Sequence, residues 1–192
     1  MIAIDKLKNY LLALNDYIVT EYVHQHAYSE SINFSSVNTI RVLCVYDYVD
    51  CEFVIPVCFH RFGCNNSFVD NMSSNSAIMT YVDVDTGKTG KFGFFKNEKN
   101  LIQKEYDLHH PNSHMSICDL DIPNWFQIKK EIIKIMNTLT FLKYVGVDIV
   151  VTQDGFKIIE MNSLPSLVFN MAEEKFLNND LLRNFYKIKK LL

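Results

Sequence analysis

The chain is 192 residues long and 48% hydrophobic, enough for one globular domain with a sizeable core or for a large piece of a bigger protein. Lys and Arg number 19 against 22 Asp and Glu, a net charge of −3, which leaves no basic footprint for nucleic acid or an anionic membrane surface. No apolar run is long enough to span a bilayer, and no secretory leader is expected. Cys44, Cys51, Cys58, Cys64 and Cys118 are odd in number and contain no Cys-x-x-Cys pair. They are expected as reduced thiols in a cytoplasmic protein, not as a disulfide or zinc framework.

Ile4, Leu7, Leu11 and Leu14 recur at helical spacing and predict a helix over residues 2–14. Residues 17–23 read as a strand and the polar stretch 24–36 as a connection. Strong strand patterns follow at 37–46 and 51–59, separated by a turn at 47–50. Residues 63–77 are rich in Asn and Ser and read as a loop. Two shorter strands are expected at 78–84 and 90–95, split by Asp85-Thr86-Gly87, and residues 96–122 read as mostly loop up to Pro123. Trp125, Ile128, Ile132, Met136 and Leu139 form the apolar stripe of a helix, with Asp121 or Asn124 near its cap.

A hairpin comes next. Val147-Asp148-Ile149-Val150-Val151 and Phe156-Lys157-Ile158-Ile159-Glu160-Met161-Asn162 flank Gln153-Asp154-Gly155. Successive side chains of a strand point to opposite faces. With residues 153–155 as the loop and Gly155 in the left-handed position, Thr152 faces Phe156, Val150 faces Ile158 and Asp148 faces Glu160. Asn162 then shares the acids' face, while Val147, Ile149, Val151, Ile159 and Met161 form an apolar one. Two carboxylates and an amide make a hard-oxygen site suited to Mg²⁺, which at such sites accompanies substrate phosphates. Residues 163–172 are irregular, since Pro165 cannot sit in a central strand. Leu181, Leu182, Phe185, Ile188 and Leu192 mark a last helix. Strands cluster instead of alternating regularly with helices, so the fold class is α+β with a mainly antiparallel sheet and flanking helices.

Three groups of segments carry a family resemblance. The first is residues 18–26 with Ser36-Val37-Asn38-Thr39-Ile40-Arg41. The second runs from Val69-Asp70-Asn71 through Val84-Asp85-Thr86-Gly87 and His110-Pro111 to Ile122-Pro123-Asn124-Trp125. The third is Tyr144-Val145-Gly146-Val147-Asp148 through Gly155 to Glu160-Met161-Asn162. In this order and spacing the chain resembles the sugar-transfer-associated branch of the ATP-grasp superfamily, whose members hold ATP between two α+β lobes and activate a carboxylate as an acyl phosphate.

The resemblance implies that Asp148, Glu160 and Asn162 ligate Mg²⁺, and that Glu21, Tyr22 and Val23 form the hinge holding the adenine edge. It implies that Asn38 and Arg41 belong to the phosphate-facing N-T-I-R signature; for Arg41 the alternative is a cross-strand salt bridge. Arg61 faces a phosphate, the substrate carboxylate or the protein surface. Asp70 and Asn71 match a loop that usually continues into paired glycines, where Ser74, Asn75 and Ser76 stand here. His110-Pro111 matches the family's His-Pro. With His109 and His114 nearby, a zinc cluster is the less favoured alternative, and Trp125 and its stripe read as core.

Residues 1–24 are expected as a remnant of the small ATP-grasp lobe with its hinge strand, and 25–192 as the metal- and nucleotide-binding lobe. Lys6 and Lys8 sit on the first helix and not on strands, and no Gly-rich loop precedes Glu21. The small lobe is therefore expected to be incomplete, with an exposed edge at 17–23. The functional expectation is an ATP- and Mg²⁺-dependent ligase for an unidentified carboxylate and nucleophile in polysaccharide or cell-envelope synthesis. It is expected to be inactive alone and completed by a partner chain or by self-association. The alternative is a non-catalytic lobe acting as a nucleotide-binding or protein-interaction module.

Overall fold

The computed structural model describes residues 4–14, 18–65, 67–70, 76–96, 102–165 and 179–190. Among them are four helices, α1 (Ile4–Ala13), α2 (Ala27–Glu30), α3 (Trp125–Thr138) and α4 (Asp180–Ile188). The strands are β1 (Ile40–Asp47), β2 (Glu52–Gly63), β3 (Ala77–Val82), β4 (Thr89–Lys96), β5 (Ile102–Tyr106), β6 (Tyr144–Thr152) and β7 (Gly155–Asn162). They form one sheet in the order β5-β4-β3-β2-β1-β6-β7, with each neighbouring pair antiparallel. The expected α+β class and antiparallel sheet are what the chain adopts.

β1 lies near the middle and is covered on both faces. Its alternation sends Ile40, Val42 and Cys44 into a core with Trp125, Ile128, Ile132 and Met136 of α3. Leu43 and Val45 go the other way, onto Leu182, Phe185 and Tyr186 of α4. The α3 stripe at three- and four-residue spacing is the one expected, except that Leu139 is the C-cap residue beyond the last turn. Asn124 occupies the N-cap in a left-handed conformation (φ 56°) and makes no side-chain capping bond. All five cysteines are free thiols, as expected.

Three expectations are corrected. Residues 18–23 form no strand. β6 already has β1 and β7 as neighbours, and the backbone bond from this stretch to the sheet, His26 N to Val151 O at 2.7 Å, lies outside it. Residues 102–106, within the stretch 96–122 read as mostly loop, add β5 to the β4 edge. The connection 24–36 contains α2, whose N-cap His26 accepts from the Tyr28 N–H.

The hairpin keeps its acids opposite by a different route. Its loop is Gln153-Asp154, with Thr152 opposite Gly155, Val151 opposite Phe156, Val150 opposite Lys157 and Ile149 opposite Ile158, so the expected pairs Thr152–Phe156 and Val150–Ile158 do not form. A bulge then takes up Ile159, and Asp148 faces Glu160. The extra residue expected in the turn sits in the strand. Ile159 is consequently 45% exposed and not part of the apolar face. Leu192, Asn71, Ser74 and Asn75 lie outside the described residues, as do residues 166–172 of the irregular stretch and residue 17 of the expected strand.

Candidate functional site

Parity along β1 puts Arg41 on the α4 side of the sheet, and register carries the row sideways. Arg41 pairs with Asp148 on β6, and Asp148 pairs with Glu160 on β7. Toward β2, Arg41 faces Phe59, and Arg61 follows two residues later on the same side. Four charged side chains from four adjacent strands thus converge. The Arg41 guanidinium grips Asp148 with two donors, Nε on Oδ1 and Nη2 on Oδ2 at 2.7 Å. Arg61 Nη2 reaches the same Oδ2 at 2.7 Å. Arg41 Nη2 also lies 3.5 Å from Glu160 Oε1, which accepts from Asn162 Nδ2 at 2.8 Å. The alternative for Arg41, a cross-strand salt bridge, is therefore formed.

Burial gives this cluster its electrostatic weight. Asp148 is 2% exposed and Arg41 8%. Burial alone pushes the Asp148 carboxyl up. Hydrogen bonds from Arg41 and the charges of both arginines outweigh it and hold the group below the usual carboxylate range. Arg41 is likewise fixed as a cation: burial works against its charge, and Asp148 overcomes that. Behind Arg61, Asp70 accepts from the Thr39 N–H at 2.8 Å and from the Thr39 hydroxyl, with Arg61 Nε at 3.6 Å. Here burial prevails over Arg61 and raises the Asp70 carboxyl.

The donor set fits a hard divalent cation in kind. Asp148, Glu160 and Asn162 share one face, and Glu160 is 55% exposed at its side chain. Among the described residues, the second Glu160 oxygen and the Asn162 amide oxygen carry no hydrogen bond. Asp148 differs, because both its oxygens are held by guanidinium groups. Among the described residues no group of three or more His, Cys, Asp or Glu side chains converges as a metal cage. The alternative histidine cluster does not form: His110 is fully buried and bonds through Nε2 to Gly63 O at 2.6 Å. Its Nδ1 accepts from the N–H groups of Asn112 and Ser113, which makes it a neutral staple of its loop.

The hinge residues lie apart from the arginine cluster. Glu21 is exposed and pairs with Lys157 of β7 at 2.7 Å; that hydrogen bond holds its carboxyl low. Tyr22 is 70% exposed, with its ring 4.9 Å from His24, and Val23 is half-buried. Asn38 is 2% exposed and its side chain looks inward. Its Nδ2 donates to Gln25 Oε1, Ser29 O, Ser29 Oγ and Asn33 O, and its Oδ1 accepts from Gly63 N and Asn33 Nδ2. Asn38 thereby ties residues 25–36 to the start of β1, three residues before Arg41. Gln25, Ser29 and Asn33 complete this buried network, and reading residues 24–36 as a polar connection misses them. A signal exists in the sequence: Gln25 and Asn33 stand among Ser29, Ser31, Ser35 and Ser36, a run of amides and hydroxyls able to satisfy one another away from water.

A family model described as sugar-transfer associated ATP-grasp matches residues 7–187. A search among curated proteins returns no match, and neither does one among solved structures.

Proposed function

Because the chain belongs to the sugar-transfer associated ATP-grasp family, which points to an ATP-dependent, ligase-like function, we propose that it is the metal-bearing lobe of a carboxylate-activating ligase. The observation that carries this reading is the register row Arg41–Asp148–Glu160 across three neighbouring strands. It offers cations and hard oxygens side by side on one face, buried at Arg41 and Asp148 and open at Glu160. In this reading Glu160 and Asn162, with Asp148, hold Mg²⁺ on the phosphates of ATP. The ion, when bound, neutralises charge on the transferring phosphoryl group. Arg41 and Arg61 present guanidinium forks to that phosphoryl group or to the substrate carboxylate. Glu21, Tyr22 and Val23 hold the adenine edge, and Asn38 belongs to the same signature by fixing the strand from which Arg41 projects.

Asp148 stands at the centre of this arrangement. It pairs with both arginines, so an incoming phosphate would compete with it for the guanidinium donors while a metal would compete for its oxygens. Both exchanges keep the buried charges paired, which is what a desolvated site demands. The product would be an acyl phosphate open to a nucleophile, and the family association makes polysaccharide or cell-envelope synthesis in the cytoplasm the natural setting. Residues 1–24 are assigned to the hinge and small lobe, and 25–192 to this lobe. Lys6 and Lys8 are exposed on α1, and no Gly-rich loop precedes Glu21 within these 192 residues. Those groups are assigned to polypeptide beyond these 192 residues, and the 192 residues by themselves are expected to release no ADP above background.

Calorimetry of the 192-residue chain with ATP tests the reading. Heat of binding should require Mg²⁺, and Glu160→Gln should weaken it by more than about tenfold. Binding that ignores EDTA and Glu160→Gln sinks the metal-site assignment. Silence under every condition favours the second reading, a non-catalytic interaction lobe. That reading draws on the two guanidinium groups already seated on Asp148 and on the Lys157–Glu21 pair at the hinge.

A further inference from the structure

A second cleft, of about 620 Å³, opens where the start of β6 meets α4 and the chain leaving β7. That volume suits a small organic ligand. Its floor is aromatic: Tyr144 and Phe185 stack with ring centres 5.4 Å apart, and the Tyr144 and Tyr186 hydroxyls share a 2.7 Å hydrogen bond. Its rim carries two large apolar side chains in water, Phe141 at 77% and Leu164 at 91% exposure. Pro165 closes one end. A Cβ added to Gly146 would meet the Pro165 ring at 2.7 Å and Arg41 Cδ at 3.0 Å, so the proline and the Arg41 stem both pack on this glycine.

The cleft's charge is one-sided. Among the described residues lining it, the charged groups are Lys143 and Lys189, and there is no acid. Neither lysine forms a salt bridge among the described residues. Lys143 Nζ rests 3.4 Å from the centre of the Tyr46 ring, and Lys189 Nζ 5.0 Å from that of Tyr48. The Lys189 ammonium, 6.0 Å from the Phe185 ring of the floor, is thus held at the cleft with donors left for an anion, whereas the Lys143 ammonium lies over Tyr46 and Phe53 on the α3 side of the sheet. Lys187 and Lys190 flank Lys189 at the end of α4, giving a positive corner in a chain of net charge −3.

We propose that this cleft binds a small amphiphilic anion. Its apolar body lies on Tyr144, Phe185 and Pro165 under Phe141 and Leu164, and its carboxylate or phosphate meets Lys189. Water on the apolar rim is released when the body enters, and the anion finds the one charge the cleft supplies. The site is distinct from the Arg41–Asp148 cluster: it takes in Tyr144, four residues before Asp148 on the same face of β6, and none of Arg41, Arg61, Asp148 or Glu160 lines it.

The test uses the 192-residue chain without nucleotide or metal, so its failure leaves the ligase reading standing. Anilinonaphthalene sulfonate reports occupancy, and dodecanoate below its micellar concentration, naphthoate and dodecyltrimethylammonium compete for it. Displacement by dodecanoate or naphthoate at concentrations about tenfold lower than the cation needs supports the proposal, and whichever anion wins identifies an aliphatic or an aromatic body. Phe141→Asp and Leu164→Asp, both at exposed rim positions, should each weaken dodecanoate by about tenfold with unchanged circular dichroism. Lys189→Glu should remove the preference for anions. Equal competition by the cation, no displacement by either anion, or rim variants that bind like the parent would overturn it.

Discussion

His60 is fully buried between the Tyr28 hydroxyl, 2.8 Å from its Nε2, and the ring of Phe62, stacked 4.0 Å away. Burial drives its pKa down to about 3 from 6.5. A native pKa below the unfolded one means that the unfolded chain binds the proton first. Stability is then present above pH 6.5 and drains as pH falls toward 3, at about 1.4 kcal/mol per pH unit. The His60 ring proton followed by NMR should show no titration between pH 8 and pH 4.5. A midpoint near 6.5 would mean the ring is open to water. Asn38 makes a second prediction at this scale. Asn38→Ala leaves the buried Gly63 N–H without its acceptor and removes the amide that Gln25, Ser29 and Asn33 surround, and should cost about 1–3 kcal/mol in urea unfolding. In the sequence Asn38 reads as a nucleotide-facing residue, because a motif reports identity and spacing. That its side chain turns inward depends on residues 25–36 folding back over it.

α1 and α3 carry similar apolar periodicity and have opposite fates. None of the α1 residues is buried, and Leu7 and Leu12 are 47% and 73% exposed, whereas Ile132 of α3 is 1% exposed. Leu7→Asp should therefore shift the stability of the monomer by no more than about 0.5 kcal/mol. Ile132→Ala should cost about 2–5 kcal/mol, because it empties a core lined by Cys58, Val82 and Val147. Equal costs would show that α1 packs against the body. The hairpin makes a sharper comparison. Gly155 has φ +141°, and a Cβ added there would meet nothing within 4 Å, so Gly155→Ala should cost about 1–2 kcal/mol through the backbone alone. Alternation makes the Asp148–Glu160 pairing legible in the sequence, as it does β1 to β4 and the α3 stripe. Alternation cannot say whether the odd residue sits in the turn or at Ile159, since both preserve the parity of the acids. β5 is hidden for a related reason: an edge strand buries little and so leaves a weak pattern.

For the whole molecule, three of the buried groups through which pH acts differ in sign, and His110, held low by burial, adds to the His60 side. Asp148, held low, contributes stability above the ordinary carboxylate range and loses it as pH falls through its native pKa. His60 works in the same direction from pH 6.5 downward. Asp70, raised by burial, opposes them: its contribution is complete below the ordinary carboxylate pKa and is lost as pH rises through the native one. The parent and His60→Gln isolate one of the three. Between pH 6 and pH 5 the parent should lose about 1.4 kcal/mol more than the variant in urea unfolding, and parallel curves would place His60 outside the linkage.

What the amino-acid order determined by itself was local: which side chains share a face of a strand or helix, and which short motifs stand in a family's order. Asp148, Glu160 and Asn162 fall on one face by a two-residue period that needs no partner. The tertiary structure decided what meets that face. Arg41 and Arg61 stand 107 and 87 positions from Asp148, and only the pairing of β1 with β6 and β2 brings their guanidinium groups to one carboxylate. Strand order and register are set by the burial of the sheet's apolar faces as a whole, a sum over many residues that no single segment contains.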